Sequence, residues 1–336
     1  MTIVAAIAVF CLLILSHEFG HFIVAKLNGV YVYDFSIGMG PKLFSWKGKE
    51  TVYSLRLFPI GGHCLMMGED EASEDARAFN KKKVWQRIAV ILAGPAMNFL
   101  SAVLIFIIIF MMMGTPSASS AVGGLVEDQP AQAAGILPGD VITAIGGQQV
   151  KGWADISPAV ESAATGASIP VTIERGGQSI SLTLTPYWDA ESGRWLLGIY
   201  PVVERQNFFT AIGLGVRQSF LFTKELIVAL VGMISGRVAP DVAGPVGVVS
   251  IIGQATSYGL QSLLLITAIL CVNLAVVNLL PIPALDGARI VFLLVEAVRG
   301  KPLKPEREGM VHFIGLMLLF ALMIVITFKD IMRLLQ

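Results

Sequence analysis

The sequence predicts an α-helical membrane protein of about four transmembrane helices, with a membrane-associated β-hairpin loop after the first and a small α+β domain inserted after the second. Three observations lead there. Of 336 residues, 55% are hydrophobic and only 14% charged, and the mean hydropathy is +0.73, too apolar and too charge-poor for a water-soluble fold. Four stretches, 3–24, 88–113, 260–280 and the shorter 313–328, suit the roughly 20 apolar residues that cross a bilayer. Between the second and third, the composition turns small and polar, with short apolar runs separated by paired glycines.

Residues 1–115 are expected to hold the first two helices and the loop between them. No basic residue precedes the first apolar run and no small-residue cleavage site follows it, so it is expected to be a retained helix, not a signal peptide. From Val30 to Met66 the pattern alternates as in strands, notably at 30–33 and 51–57, with glycines between, which predicts the hairpin-rich loop. The stretch 68–83, acidic then basic, reads as a solvated linker.

Residues 116–203 form the inserted domain, with strands expected at 124–127, 140–145, 169–174 and 180–185 and a short helix over 155–164. Gly146-Gly147 and Gly176-Gly177 suit two-residue hairpin turns. Residues 204–258 are amphipathic and membrane-associated: Arg217, Gln218, Lys224 and Glu225 interrupt the apolar run 207–238. A charge at a bilayer centre costs about 2.5–3.5 kcal/mol on insertion scales, which favours an interfacial helix over a fifth span. Residues 259–336 carry the last two helices.

Formal net charge is zero and no basic block is interleaved with aromatics, so nothing points to nucleic acid. Lys26, Lys42, Lys47, Lys49, Arg56, Lys81, Lys82, Lys83 and Arg87 crowd the first loop, and Arg299, Lys301, Lys304 and Arg307 the last. The positive-inside rule makes both loops cytoplasmic and the inserted domain extracytoplasmic. Cys11, Cys64 and Cys271 are too few and scattered for a disulfide framework or a thiolate metal site.

The chemistry is concentrated in His17-Glu18-Phe19-Gly20-His21. On a helix, histidines four residues apart share a face and can grip a zinc ion, with the glutamate beside it as general base. Three ionisable groups in an apolar helix are too costly to face lipid, so they should line a polar cavity. A catalytic zinc takes a third protein ligand and keeps one position open. Asp286 is the best candidate, at the inner end of the third helix, where Pro281 and Pro283 break the helix and free the carboxylate to turn inward. His63 and His312 can ligate metal but have no partner at ligand spacing, and read as ordinary polar residues.

HExxH in the first helix with Asn278-Leu279-Leu280-Pro281-Ile282-Pro283-Ala284-Leu285-Asp286-Gly287 in a late one resembles the site-2 protease family of intramembrane metalloproteases, in particular its bacterial regulator-of-sigma-E type. Gly94-Pro95-Ala96-Met97-Asn98 is similar to that family's GPxxN motif, and Gly38-Met39-Gly40 with Gly61-Gly62 resembles its membrane-reentrant β-loop, which handles substrate. The resemblance implies that His17, His21 and Asp286 bind Zn2+, that Glu18 activates water, and that Asn278 and Asn98 assist near the site. It implies a multi-pass protein of the bacterial cytoplasmic membrane that cuts single-span membrane proteins such as anti-sigma factors or remnant signal peptides.

Gly135-Ile136-Leu137-Pro138-Gly139-Asp140-Val141-Ile142 looks like the turn and strand of a bacterial PDZ domain, which would take a peptide or substrate segment by adding it to a sheet edge. The best-known relatives carry two such domains in tandem; this chain has room for one. The loop at 30–66 is too apolar to float free, and is expected to hold an unwound substrate as an added strand, with 53–58 as the receiving edge. Two rivals stand beside this function. A membrane HExxH protease using a glutamate ligand would need Glu225 or Glu296, which lack the setting; a metal transporter or proteolytically inactive scaffold presenting the PDZ domain would not need Glu18.

Overall fold

The computed structural model describes residues 2–69, 71, 73–164, 166–190, 192–237, 243–301 and 305–334, and of 58–60, 305–307 and 334 the backbone alone. Lys304 and the Arg307 side chain therefore lie outside the described residues. The chain divides into two compact units, one of Met1–Ile109 with Phe209–Gln336 and one of Phe110–Phe208.

In the first unit, α1 (Thr2–Leu27) leads into β1 (Val32–Lys47), β2 (Val52–Met66) and α2 (Val84–Met113). Among the described residues, four helical segments are long and apolar enough to cross a membrane: Thr2–Leu27, Val84–Met113, Leu260–Asn278 and Glu308–Arg333. Helix α1 meets α2 backbone to backbone, because Gly20 has no side chain: a Cβ there would lie 2.1 Å from the Ala93 carbonyl oxygen. Membrane helices associate through such small-residue contacts, since lipid supplies no hydrophobic drive between them.

The two long strands pair antiparallel but fold over one another. Residues 32–37 pair with 62–66 on one side and, over 34–37, with 52–55 on the other, and 52–55 pair in turn with 44–47. Asp34 pins this arrangement, accepting from Ser54 Oγ at 3.0 Å and Arg56 at 3.0 Å, with Lys42 at 3.4 Å. The expectation that 53–58 offers a receiving edge is corrected here for 53–55. Tyr53, Ser54 and Leu55 each have partners on both sides, so they are interior to the sheet. Alternation reveals a strand but not how many neighbours it has. Among the described residues, Gly62 to Met66 pair on one side only.

In the second unit, β3 (Thr115–Pro116), β4 (Val122–Leu125), α3 (Pro130–Ala133), β5 (Val141–Ile145), β6 (Gln148–Gln149), α4 (Ile156–Ala163), β7 (Ile169–Arg175) and β8 (Gln178–Leu184) are followed by β9 (Tyr187–Asp189), β10 (Arg194–Leu196), β11 (Ile199–Pro201) and β12 (Val203–Glu204). The main sheet runs β6-β5-β7-β8. Gly146-Gly147 and Gly176-Gly177 turn its two hairpins with every φ positive, as two-residue turns of the primed type require. Val122, Ile142, Ile145, Val160, Val171 and Ile173 fill its core. Asp140 is 1% exposed, accepts from Leu137 N–H at 2.8 Å, and is forked by Arg175 at 2.7 and 2.8 Å. That guanidinium, against the opposing effect of burial, holds the Asp140 carboxyl below the usual carboxylate range.

Returning to the first unit, α5 (Phe208–Ile234) precedes α6 (Pro245–Ser257), α7 (Leu260–Asn278), α8 (Asp286–Arg299) and α9 (Pro305–Leu334). The segment 207–238 is thus a helix through Ile234, and residue 238 lies outside the described residues. Ala211, Gly215 and Ser219, four apart, are its buried residues; Gly215 sits against Val103 and Ile107 of α2, and Phe222 stacks on Phe106 at 5.6 Å. Arg217, Lys224 and Glu225 are exposed. The helix therefore lies along α2 by a small-residue face, a contact the charge pattern alone did not reveal. Helix α6 starts at a proline, and its Gly247 N–H donates to the buried Asp330 of α9 at 2.8 Å. Helix α7 ends at Asn278, and Asp286 opens a separate amphipathic helix, α8, not the end of the preceding helix as its sequence position suggested. The two prolines start a new element where they were expected only to end an old one.

Candidate metal centre

His17 and His21 lie one turn apart on α1, and the start of α8 brings Asp286 to them across 265 residues of sequence from His21. His17 Nε2 is 3.1 Å from His21 Nε2 and 3.2 Å from Asp286 Oδ2, and the third side of the triangle is 3.5 Å. Two ligands each about 2.0–2.2 Å from a tetrahedral ion stand about 3.3–3.6 Å apart. Asp286 Oδ2 is buried without a hydrogen-bond donor among the described residues, a cost that a cation at the centre of the triangle removes. Burial works against the charge on Asp286, but the facing imidazoles hold its carboxyl below the ordinary range. Two imidazoles and a carboxylate are a donor set that suits zinc.

The rings are held from behind. His21 Nδ1 donates to the Val90 carbonyl at 2.8 Å, leaving its Nε2 lone pair toward the centre. The amide groups of Asn98 and Asn278 lie 3.3 and 3.4 Å from His17 Nδ1. Asn98 is fully buried and its Oδ1 accepts from Ser16 Oγ at 2.5 Å. Gly94 makes room for both rings: a Cβ there would be 2.4 Å from His21 Nε2 and 2.8 Å from His17 Cε1.

A cavity of about 230 Å³ opens on this centre, lined on one wall by Gly62 to Met66 and on another by Asp286 and Arg289, with Glu18 between. Gly62 is pressed on Glu18, since a Cβ there would fall 2.6 Å from Glu18 Cγ. Of the glycine-loop residues only Gly62 lines the cavity. Gly38, Gly40 and Gly61 have positive φ, and Gly61 sits under the Met39 side chain at the folded end of the sheet. His63, which the sequence left as an ordinary polar residue, lines the cavity too. Sequence reasoning missed the Arg289–Glu69 ion pair across the cavity and the Arg87–Glu296 pair that ties α8 to α2. Arg289 stands three residues after Asp286, on the same helical face, and that spacing was the available signal.

Two imidazoles and a carboxylate able to hold a metal, with Glu18 beside them, set among helices long and apolar enough to cross a membrane, are a donor set that suits a metallohydrolase. Comparison with known proteins carries this to a family. The sequence matches peptidase family M50 over residues 5–322. A protein of Clostridium acetobutylicum is 39% identical over 98% of this chain and 97% of its own length. The zinc metalloprotease RasP of Geobacillus kaustophilus is 33% identical over 99% and 98%, and the regulator of sigma-W protease RasP of Bacillus subtilis 31% over 99% of each. The chain belongs to peptidase family M50, and is a multi-pass membrane zinc metalloprotease of the site-2 type. Among solved structures, the PDZ domain of an SdrC-like protein of Listeria innocua is 26% identical, covers 26% of this chain and 99% of its own, and has a TM-score of 0.23.

Proposed function

We propose that His17, His21 and Asp286 hold one zinc ion and that Glu18 is the general base of an intramembrane endopeptidase acting on single-span membrane proteins, such as anti-sigma factors or remnant signal peptides. The observation that carries this is the triangle of ligand atoms, 3.1–3.5 Å on a side, inside the helices with Glu18 on the cavity wall. When bound, the ion lowers the pKa of a water and polarises a peptide carbonyl. Glu18, on the cavity wall, would serve as the base that takes a proton from the attacking water and returns it to the leaving amine. Asn98 and Asn278 keep His17 turned to the centre, and Val90 does the same for His21.

A helical substrate hides its carbonyls in its own hydrogen bonds, so it must unwind before attack. The one-sided run from Gly62 to Met66 supports capture of the unwound strand here, because its unpaired groups line the cavity that contains Glu18. The PDZ-like unit has its own groove of about 320 Å³, between Ile156, Ser157 and Val160 of α4 and Leu196 to Tyr200. That groove would hold a peptide or substrate segment. The four spans and the basic loops support a bacterial cytoplasmic membrane location with this unit outside.

The test is to incubate the purified protein and its Glu18→Gln twin with a panel of single-span membrane proteins. Cleavage by the first alone is expected. Equal products from both, or none from either, would favour the inactive scaffold or metal transporter.

A further inference from the structure

Helix α9 is apolar over most of its length, yet it carries a histidine whose ring nitrogen is turned into the protein. His312 Nδ1 accepts a hydrogen bond from the Ala284 N–H at 2.9 Å. Ala284 has φ of +77°, a left-handed conformation that residues with a Cβ rarely take without being held there. One turn along α9, Gly315 admits the same stretch of chain, for a Cβ at 315 would lie 2.3 Å from Pro283 Cβ and 2.7 Å from its carbonyl oxygen. The edge of the His312 ring meets Phe292 of α8, with centroids 5.5 Å apart and planes at 86°. So α9 grips the Pro283–Ala284 peptide and touches α8, and Asp286 is the residue where the two join.

We infer that His312 is a positioning residue for the metal centre: by fixing Ala284 in its left-handed conformation it sets the direction in which α8 starts, and with it the reach of Asp286 toward His17 and His21. An imidazole suits this task. Its Nδ1 is a compact acceptor on a short, stiff side chain, and an acceptor is required because the group it holds is a backbone N–H. A polar side chain kept in a bilayer-spanning helix demands a purpose, and here the purpose is visible.

This rests on Asp286 as a zinc ligand, and the experiment separates the two. Zinc affinity is measured on the purified full chain by dialysis against graded chelator, alongside kcat and KM, for wild type, His312→Leu, His312→Asn, His312→Gln, Ala284→Gly, the His312→Leu/Ala284→Gly pair and Asp286→Ala. Asparagine places Oδ1 at the same distance from the backbone as Nδ1, whereas glutamine places its acceptor one bond too far. Expected is a loss of zinc affinity of about tenfold for the leucine and glutamine variants, the low end for outer partners of a metal site. Their kcat falls while KM holds. The asparagine variant stays within about threefold of wild type. Glycine adopts positive φ freely, so Ala284→Gly should recover most of what His312→Leu loses. If His312→Leu keeps full zinc affinity while Asp286→Ala loses it, the positioning role is wrong and the ligand stands. Should the leucine and asparagine variants be equally impaired, with no rescue from Ala284→Gly, His312 acts only through packing and the inference falls. If Asp286→Ala keeps its zinc, the ligand assignment itself fails and takes this role with it.

Discussion

Replacing Gly94 by alanine adds one methyl at the most crowded point of the metal centre. The new carbon would lie 2.4 Å from His21 Nε2, 2.6 Å from its Cε1 and 2.8 Å from His17 Cε1. Favourable contact starts near ~3.5 Å, so the rings must retreat by about 1 Å. Metal–ligand distances tolerate only about 0.2 Å. Retreat is blocked, since His21 is tied to Val90 and His17 is backed by two asparagines. Zinc affinity should therefore fall by at least about 100-fold, which is about 2.8 kcal/mol, and displacement of the reacting groups should cost the loaded fraction a further ~100-fold in rate. Chelator competition on the purified chain measures the first and cleavage per bound zinc the second. Gly213→Ala, with nothing within 4 Å of the added carbon, is the matched control and should change neither. Wild-type zinc affinity in Gly94→Ala would mean that the histidines do not face the centre as described.

Proline scanned through 62–66 should abolish cleavage at alternate positions with zinc content intact, whereas Ser54→Pro, inside the sheet, should disrupt the fold of the loop itself; uniform effects across 62–66 would sink strand capture there. Arg175→Ala should destabilise the second unit, because it leaves the Asp140 carboxylate without its cation, though the 37% exposure of the Arg175 side chain keeps the loss below that of a wholly buried pair. With the Asp140 carboxyl held low, the pair's contribution is complete above the unfolded value of about 4 and is lost as pH falls through the lower folded one. Hydrogen exchange of 141–175 in the intact chain, followed with pH, reads both effects; unchanged protection in Arg175→Ala would refute the assignment. A cysteine placed at Gln148 should react with an impermeant thiol reagent on intact cells, and reaction only after the membrane is opened would reverse the topology.

What could be read from the sequence was what spacing alone encodes. His17 and His21 declare themselves because a helix puts four-residue neighbours together wherever it lies. Asp286 was found by its motif, but the helix it begins was not, because Asp286 follows a proline-rich turn and was read as the inner end of the preceding helix. Glycine roles were hidden for a different reason. Gly20, Gly62 and Gly94 matter through what would occupy the space of a missing side chain, and that belongs to the neighbouring element. The edge of the hairpin sheet was misplaced because strands 34–37 and 52–55 are equally alternating, and only pairing tells inside from outside. His312 was set aside for want of a ligand-spaced partner, when its partner is a backbone N–H 28 residues earlier.

The order in which the chain is made gives the Ser16–Asn98–His17 contacts another meaning. Helix α1 is inserted with two histidines and a glutamate long before Asp286 exists, since 188 residues separate Asn98 from Asp286, roughly 10–40 s of synthesis. During that wait the polar face of α1 needs company in the bilayer, and α2, the next span to arrive, supplies it through Asn98 for His17 and the Val90 carbonyl for His21. A centre lacking Asp286 is predicted to be satisfied in this way while holding metal only weakly. An integrated fragment ending near residue 115 is expected to protect both histidines from modification yet retain no zinc through dialysis. Histidines as reactive as free imidazole in that fragment would show that α2 does not shelter them.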